Sequence, residues 1–148
     1  MKIIFRVVFA VLIASAAGAQ EAPETIVEGL FLDGTEVDLN EFVWIKRPVV
    51  VFADSAFDPR FVTQMEYLHE RPEFLAERDV VVLTDTDPSA QSALRERLRP
   101  RGFMLVLISK DGTILLRKPM PYDVREISRS IDKLPARQQE MHDRREGS

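Results

Sequence analysis

Four carboxylates follow apolar segments of the sequence, at points where buried strands are expected to end. They are Asp54 and Asp58 after the first long apolar run, and Asp85 and Asp87 after the second. The carboxyl ends of strands in an open α/β sheet form a crevice where ligands bind, so these acids are expected at one edge. Their oxygens would suit a hard cation such as Ca²⁺, a small cationic ligand or acid–base catalysis.

A second interpretation accounts for the same acids without any ligand. Asp58 and Asp87 each precede a proline. Aspartate accepts hydrogen bonds from the free N–H groups of a helix start, and proline is tolerated at the first helical position because its missing N–H has no partner there. Asp54 and Asp85 would then be solvated loop acids. We favour this interpretation, because a metal site does not need the prolines, and we expect no metal and no cofactor.

Other residues near the first two acids offer little independent chemistry. Ser55 as a nucleophile would need a neighbouring base, and the two histidines, His69 and His142, fall in a predicted helix and near the C-terminus. Ser55 is therefore expected to be an ordinary loop serine. Arg60 falls in the first turn of a predicted helix, where it would bind an anion beside the free N–H groups or pair with a nearby acid. The ion pair is the simpler expectation.

The composition narrows the class of protein. The 148 residues include no cysteine, are 45% hydrophobic and 30% charged, and carry a formal net charge of −4. A chain of this length is expected to form one domain with its own core. The absence of cysteine excludes disulfides, thiol nucleophiles, iron–sulfur clusters and thiolate zinc sites. The negative net charge argues against nucleic acid as a partner, since binding phosphates requires a basic surface.

The first nineteen residues have the pattern of a secretory signal peptide. A positive start precedes an apolar run at residues 7–13, and the small residues Ala17 and Ala19 match a cleavage site. We predict cleavage between Ala19 and Gln20, a linker over residues 20–27 and a periplasmic or secreted mature protein. The apolar run is too short to span a membrane, so no span is expected after cleavage.

Three continuous apolar runs predict the central strands of a sheet. Residues 49–52, 80–83 and 103–108 are rich in β-branched side chains and do not alternate with polar residues, as is typical of strands covered on both faces. Between the first two runs, residues 59–77 predict a helix that Pro72 breaks in two. Right-handed crossovers then place helices on both faces of a mixed sheet.

Turn and cap signals predict the remaining elements. They are an edge hairpin of strands over residues 28–32 and 36–39, a helical turn over 41–44, a helix from Asp87-Pro88 through Leu98, a hairpin turn over 110–113, a helix from about Asp123 and a charged tail over 135–148. This order is a βαβ half joined to a ββα half. The predicted fold class is therefore α/β, a thioredoxin-like three-layer sandwich over residues 28–134, with a mixed central sheet and an N-terminal edge hairpin.

Two segments resemble thioredoxin-like and peroxiredoxin-like proteins. In those proteins a DG turn and an L-x-x-F segment precede the first central strand, as residues 33–52 do here. Their redox loop reads CxPC or CxxC, and the matching residues here are 57–60, with the sequence FDPR. The proline is in register, but Phe57 and Arg60 replace both cysteines. Met104 stands where those proteins carry a cis-proline that faces the redox loop.

The chain also resembles the bacterial domain-of-unknown-function family 4174. The resemblance lies in residues 47–60, in residues 103–112 and in the terminal segment 134–141, and it extends over about residues 29–141. It implies a thioredoxin-like fold outside the cytoplasm with an emptied redox site. No established reaction carries over from that family.

We therefore expect a non-catalytic interaction or ligand-binding module without thiol oxidoreductase activity. Its partner would be an envelope or extracellular protein, and the charged tail is a further candidate docking segment. The candidate binding residues are Asp54, Ser55, Phe57, Asp58, Arg60, Asp85, Asp87 and Met104. The alternative is a carboxylate-based enzyme or a divalent-cation site at the same edge of the sheet.

Overall fold

A five-stranded mixed sheet forms the centre of the molecule. The computed structural model describes residues 28–148, so the predicted signal peptide and linker lie outside the described residues. The strands are β1 (Phe31–Asp33), β2 (Arg47–Phe52), β3 (Val80–Asp85), β4 (Met104–Ile108) and β5 (Ile114–Lys118), in the spatial order β1-β3-β2-β4-β5. β1, β2 and β3 run parallel, whereas β4 runs antiparallel to both β2 and β5.

Helices cover both faces of this sheet, so the predicted three-layer α/β arrangement is confirmed. They are α1 (Pro59–Glu70), α2 (Pro72–Ala76), α3 (Ala93–Leu98), α4 (Val124–Asp132) and α5 (Pro135–Glu146), with short 3₁₀ helices at Leu39–Phe42 and Pro88–Ala90. None of the helices over residues 28–148 is long and apolar enough to cross a bilayer.

The core lies in two layers because neighbouring residues of a strand point to opposite faces of the sheet. On one face, Val49 packs in a cluster with Ile127 of α4. On the other face, Val50 packs in a cluster with Leu94 of α3. All four side chains are buried, which explains why the three central apolar runs do not alternate with polar residues.

Local breaks divide the helical segments on both faces. Pro72 separates α1 from α2, as predicted. The Asp-Pro pair at 87–88 starts only one 3₁₀ turn, so the predicted helix from this point is wrong. Gln91 has a left-handed φ of 47° that ends the turn. Ser92 then caps α3 by accepting a hydrogen bond from the backbone N–H of Arg95 at 3.2 Å.

The N-terminal edge differs from the predicted hairpin. β1 pairs in parallel with β3, and the residues after it form a turn and a 3₁₀ helix that starts at Leu39, two residues earlier than predicted. The chain passes directly under α3, since a Cβ atom on Gly34 would lie 2.6 Å from Leu94 Cδ1. Leu39 is buried in the core layer against α3. Burial of this side chain outweighs the strand-like alternation of residues 36–39.

Candidate functional site

The loop after β2 presents Phe57 at the carboxyl edge of the sheet. Ser55 Oγ accepts a hydrogen bond from the backbone N–H of Phe57 at 3.1 Å, and the N–H of Asp58 donates to the carbonyl of Ser55 at 3.2 Å. These bonds fold the loop into a tight turn that leaves Phe57 90% exposed. Ser55 shapes the loop, as expected for a loop serine, and Asp54 before it is exposed.

Asp58 and Arg60 form an ion pair at the start of α1. Asp58 Oδ1 accepts from the backbone N–H of Arg60 at 2.9 Å, which caps the helix, and Asp58 Oδ2 lies 2.9 Å from Arg60 Nη2. Hydrogen bonds from Arg60 lower the pKa of Asp58, and the same contact raises the pKa of the guanidinium. The expected cap and the expected ion pair are both confirmed.

Asp87 caps the 3₁₀ turn that follows β3. Its Oδ1 accepts hydrogen bonds from the hydroxyl of Ser89 at 2.5 Å and from the backbone N–H of Ser89 at 3.0 Å. The hydroxyl contact is the main reason that the pKa of Asp87 is lowered. The carboxylate is therefore occupied by its own turn, and the predicted cap is confirmed.

Asp85 is not the solvated loop acid that the sequence suggested. It is the last residue of β3 and only 1% exposed, and its Oδ1 lies 3.0 Å from Arg95 Nε while its Oδ2 accepts from the hydroxyl of Ser92 at 2.5 Å. Arg95 Nη2 also donates to the carbonyl of Ala53 at 2.8 Å. A buried carboxylate requires such partners. This pair joins the ends of β2 and β3 to α3 without needing a ligand.

Phe103, rather than Met104, lies beneath the loop at residues 57–60. The guanidinium of Arg60 is 5.6 Å from the centre of the Phe103 ring. Met104 begins β4, pairs with Phe52 and packs on the opposite face, in the core layer against α3. Neighbouring strand residues point to opposite faces, which explains the difference. Residues 28–148 contain no cis peptide bond.

The four acids of the carboxyl edge do not form a shared set of ligands. Asp58 and Asp87 cap separate helical turns, Asp85 is paired with Arg95, and Asp54 is exposed. Over residues 28–148, no group of three or more potential ligand side chains could hold a metal ion. The geometry therefore favours helix caps and a buried pair over the alternative of a carboxylate enzyme or cation site.

A second exposed apolar side chain lies at the same edge. β5 runs parallel to β2, so the loops that follow these two strands emerge at the carboxyl edge together. Met120, in the loop after β5, is 61% exposed. The loop is held against α1 because the buried amide of Gln64 exchanges hydrogen bonds of 2.8 and 2.7 Å with the backbone of Tyr122. Phe57 and Met120 are therefore both displayed from fixed loops.

An ion network that the sequence did not reveal lies at the opposite edge of the sheet. Arg47, the first residue of β2, is 1% exposed, and its Nη2 lies 2.8 Å from Oε1 of Glu140 in α5. Lys110 Nζ lies 3.0 Å from the same oxygen and 2.8 Å from Asp79 Oδ2. Burial opposes the ionisation of Glu140, but hydrogen bonds from Arg47 and Lys110 outweigh it and lower its pKa from 4.5 to about 2.

This network holds α5, the segment that the sequence presented as a charged tail. Buried Arg137 donates from Nη1 to Glu140 Oε2 at 3.3 Å, within the same helix. Arg47 and Glu140 are 93 positions apart, so no local pattern links them. The resemblance of residues 134–141 to a known family was the one sequence signal that this segment belongs to the domain.

Trp44 lies beside the same network in an uncommon backbone conformation. Its φ is 66°, a left-handed value that bulky residues rarely adopt. Its backbone N–H donates to the carbonyl of Lys110 at 2.6 Å, which ties the segment before β2 to the turn after β4. The indole is 74% exposed and lines a cleft of about 330 Å³ with Lys110 and Leu134.

Comparison with known protein families assigns this chain to one of them. A family model described as "Domain of unknown function (DUF4174)" matches residues 38–140. The chain belongs to this family. The resemblance seen in the sequence is thereby confirmed, and the DUF4174 match includes Arg47, Lys110 and Glu140 of the ion network. Among curated proteins, none matches this chain.

Solved structures share the fold of this DUF4174 protein. The reduced 2-Cys peroxiredoxin of Plasmodium vivax is 16% identical, with a TM-score of 0.56 over 70% of this chain and 85% of that chain. Chloroplastic thioredoxin z is 20% identical, with a TM-score of 0.50 over 71% and 96%. Plasmodium yoelii thioredoxin peroxidase I is 18% identical, with a TM-score of 0.50 over 70% and 80%. These similarities show the fold alone, and they confirm the predicted thioredoxin-like fold.

Proposed function

We propose that this DUF4174 protein is a non-catalytic binding module that acts in the periplasm or outside the cell. It docks an exported protein partner through Phe57 and Met120, which together form the loop surface. The observation that carries this proposal is the exposure of Phe57. A rigid turn holds its ring in solvent at the position where thioredoxin-like proteins carry their first redox cysteine.

The chemistry of the loop supports a role without redox catalysis. Thiol–disulfide exchange requires a thiolate, and the chain contains no cysteine. Arg60, which replaces the second cysteine of the redox loop, is paired with Asp58 and stacked over Phe103. These contacts pair the charged groups at the start of α1 with each other, while the apolar ring of Phe57 is 90% exposed.

The composition and rigidity of the loop surface support docking. Aromatic residues and methionine are enriched at protein interfaces, and covering apolar surface with a partner lowers the free energy of the complex. Hydrogen bonds already fix both loops, at Ser55 for Phe57 and at Gln64 for the segment of Met120. Binding therefore requires little further ordering of the backbone, which favours affinity.

Export is part of the proposal and is supported by the pattern of residues 1–19. A positive start, a short apolar run and small residues at 17 and 19 are typical of a signal peptide. The test is the mass of the protein purified from the cell envelope. The expected mass corresponds to a chain that begins at Gln20, and recovery of the uncleaved chain from the cytoplasm would contradict export.

Photo-crosslinking tests the loop surface directly. A photoreactive phenylalanine analogue at position 57 is expected to crosslink one or a few exported proteins in living cells. The variants Phe57→Ser and Met120→Ser should each weaken binding of such a purified partner by about tenfold or more, because a central apolar contact is lost.

Ile114→Ser is the matched control for this experiment. Ile114 is an exposed apolar residue at the start of β5, at the edge opposite the loop surface. It should leave the affinity for the crosslinked partner unchanged. Equal losses from all three serine variants, or crosslinks from position 114 to the same partner, would show that the loop surface is not the docking site.

A further inference from the structure

The cleft between α2 and α4 concentrates positive charge in a protein that is acidic overall. Its volume is about 460 Å³, and its lining includes four arginines, Arg71, Arg78, Arg125 and Arg129, but a single acid, Asp132. The whole chain carries a formal net charge of −4. Arginine is thus gathered on this part of the surface against the overall charge, which favours an anionic ligand.

The arginines stand in two facing rows. On α4, Arg125 and Arg129 are four residues apart, which places them on one face of the helix. On the other wall, Arg71 and Arg78 lie over the ring of Phe74, with their guanidinium carbons 5.3 and 5.8 Å from its centre. Stacking on an aromatic ring restricts both side chains, so they lose less conformational entropy when they bind a ligand.

Two of the four arginines are paired within the protein. Arg78 donates from Nε and Nη2 to the two carboxylate oxygens of Asp132, at 2.9 and 2.8 Å. Arg129 Nη1 lies 3.0 Å from Glu126 Oε1 on the surface of α4. The first pair joins the two walls of the cleft, because Arg78 follows α2 and Asp132 ends α4. The cleft is therefore a fixed feature of the fold.

The other two arginines have no such partner in the part of the chain that the structure describes. Neither Arg71 nor Arg125 has a carboxylate of residues 28–148 within ion-pair distance. Ser128 also lines the cleft, and its buried hydroxyl has no hydrogen-bond partner among the same residues. The cleft thus combines two uncompensated positive charges with an unsatisfied polar group.

We propose that this cleft binds an acidic segment of a partner protein, an extended stretch that presents several carboxylates. A guanidinium binds a carboxylate through two parallel hydrogen bonds, and Arg71 and Arg125 offer this contact from opposite walls. A cleft with arginines on both walls suits a segment that presents several carboxylates. This inference goes beyond the loop surface, since the cleft shares no residue with Phe57 or Met120 and either proposal can fail alone.

Fluorescence anisotropy with a defined peptide tests the cleft. The probe is fluorescein-labelled hexaglutamate, and labelled hexaglutamine of the same length is the neutral control. Hexaglutamate should bind the full mature protein, with an affinity that falls as salt is added, and hexaglutamine should not bind. Arg71→Gln and Arg125→Gln should each weaken hexaglutamate binding about tenfold, because each removes a charge-assisted contact.

Two control variants test whether binding depends on the position of the cleft arginines. Arg145→Gln removes the same charge at an exposed position near the end of α5, and it should leave the affinity unchanged. Phe57→Ser should also leave it unchanged, which separates this test from that of the loop surface. The proposal is overturned if hexaglutamate does not bind, or if Arg145→Gln weakens binding as much as Arg71→Gln. It is also overturned if inorganic phosphate or citrate alone binds as tightly as hexaglutamate, because the cleft would then take a small anion.

Discussion

Each edge of the sheet contains an ion pair with one fully buried member, but the two pairs are of different kinds. At the carboxyl edge, Asp85 and Arg95 are ten residues apart and join the ends of β2 and β3 to the next helix. At the opposite edge, Arg47 and Glu140 are 93 residues apart and join β2 to the last helix. The first pair stabilises neighbouring elements, whereas the second connects distant parts of the chain.

This difference separates an edge whose charged groups pair within short stretches of the chain from an edge whose charged groups connect distant ones. Asp58, Asp85 and Asp87 each have a partner within ten residues, so the polar groups of the carboxyl edge satisfy one another. Among the exposed side chains of this edge, Phe57 is a large apolar one, with 90% of its surface in solvent. At the opposite edge, Glu140 of α5 pairs with Arg47 and Lys110, so protonation of this carboxylate is expected to weaken the contact between α5 and the sheet.

The largest effect is expected from breaking the pair at the carboxyl edge. Arg95→Met should lower the free energy of unfolding by about 3 kcal/mol, because Asp85 would remain buried without its charge partner. Urea unfolding followed by far-UV circular dichroism measures this change. Arg97→Met, at an exposed position of the same helix, should cost no more than about 0.5 kcal/mol. Similar losses from both variants would contradict the assigned role of the pair.

A smaller loss, with a pH dependence, is expected from the opposite edge. Glu140→Gln should lower the free energy of unfolding by about 2 kcal/mol at neutral pH, because Arg47 and Lys110 lose a shared carboxylate. The pKa of Glu140 is lowered from 4.5 to about 2 in the folded protein. Its contribution is therefore fully present above pH 4.5 and is lost as the pH falls towards 2.

Urea unfolding of both proteins across this pH range is the measurement. The stability of the wild-type protein should approach that of Glu140→Gln as the pH falls from 4.5 to about 2. The same comparison for Arg145→Gln is the control, because this exposed position near the end of the same helix changes no carboxylate, and its difference from the wild-type protein should stay the same across this pH range. A wild-type advantage over Glu140→Gln that is equally large at pH 7 and pH 2 would show that the charge of Glu140 does not produce it.

Loss of a helix cap at the carboxyl edge should have a weaker effect than either buried pair. Asp58→Ala removes the acceptor for the backbone N–H of Arg60 and should lower the melting temperature slightly. Asp58→Asn keeps a capping oxygen but loses the ion pair, so it should retain most of the wild-type melting temperature. If the asparagine variant melts as early as the alanine variant, the ion pair matters more than the cap.

The smallest effect is expected from calcium. Each of Asp58, Asp85 and Asp87 is occupied by its own contacts, so millimolar Ca²⁺ should leave the melting temperature of the protein unchanged. Differential scanning fluorimetry with and without a chelator measures this. A clear rise in melting temperature with Ca²⁺ that Asp54→Asn abolishes would restore the cation site as a hypothesis.

The features that could be predicted from the sequence depend on contacts between near neighbours. An Asp-Pro pair predicts a capping bond because this bond spans only two residues, and the bond is present at both Asp58 and Asp87, although at Asp87 it starts a single 3₁₀ turn. The central strands were recognisable because burial on both faces leaves continuous apolar runs. The thioredoxin-like arrangement followed from the order of these elements.

The features that were missed depend on the path of the chain between elements. The burial of Asp85 requires Arg95 to reach it, and this depends on the left-handed Gln91 that starts α3 late. The predicted edge hairpin is wrong because Leu39 is buried in the core against α3 and not paired in a strand. The network of Glu140 depends on the packing of α5 beside the start of β2. No local sequence pattern predicts a contact between residues 93 positions apart.

Trp44 gives this protein an unusual spectroscopic property. It is the only tryptophan of the chain, and its indole is 74% exposed beside the contact of Lys110 with Glu140. The emission of the folded protein should therefore already be close to that of indole in water, and unfolding of the core should change it little. Quenching by iodide should instead report on the edge held by α5. A melting curve followed by tryptophan emission should therefore show only a small transition, whereas circular dichroism follows the unfolding of the whole fold.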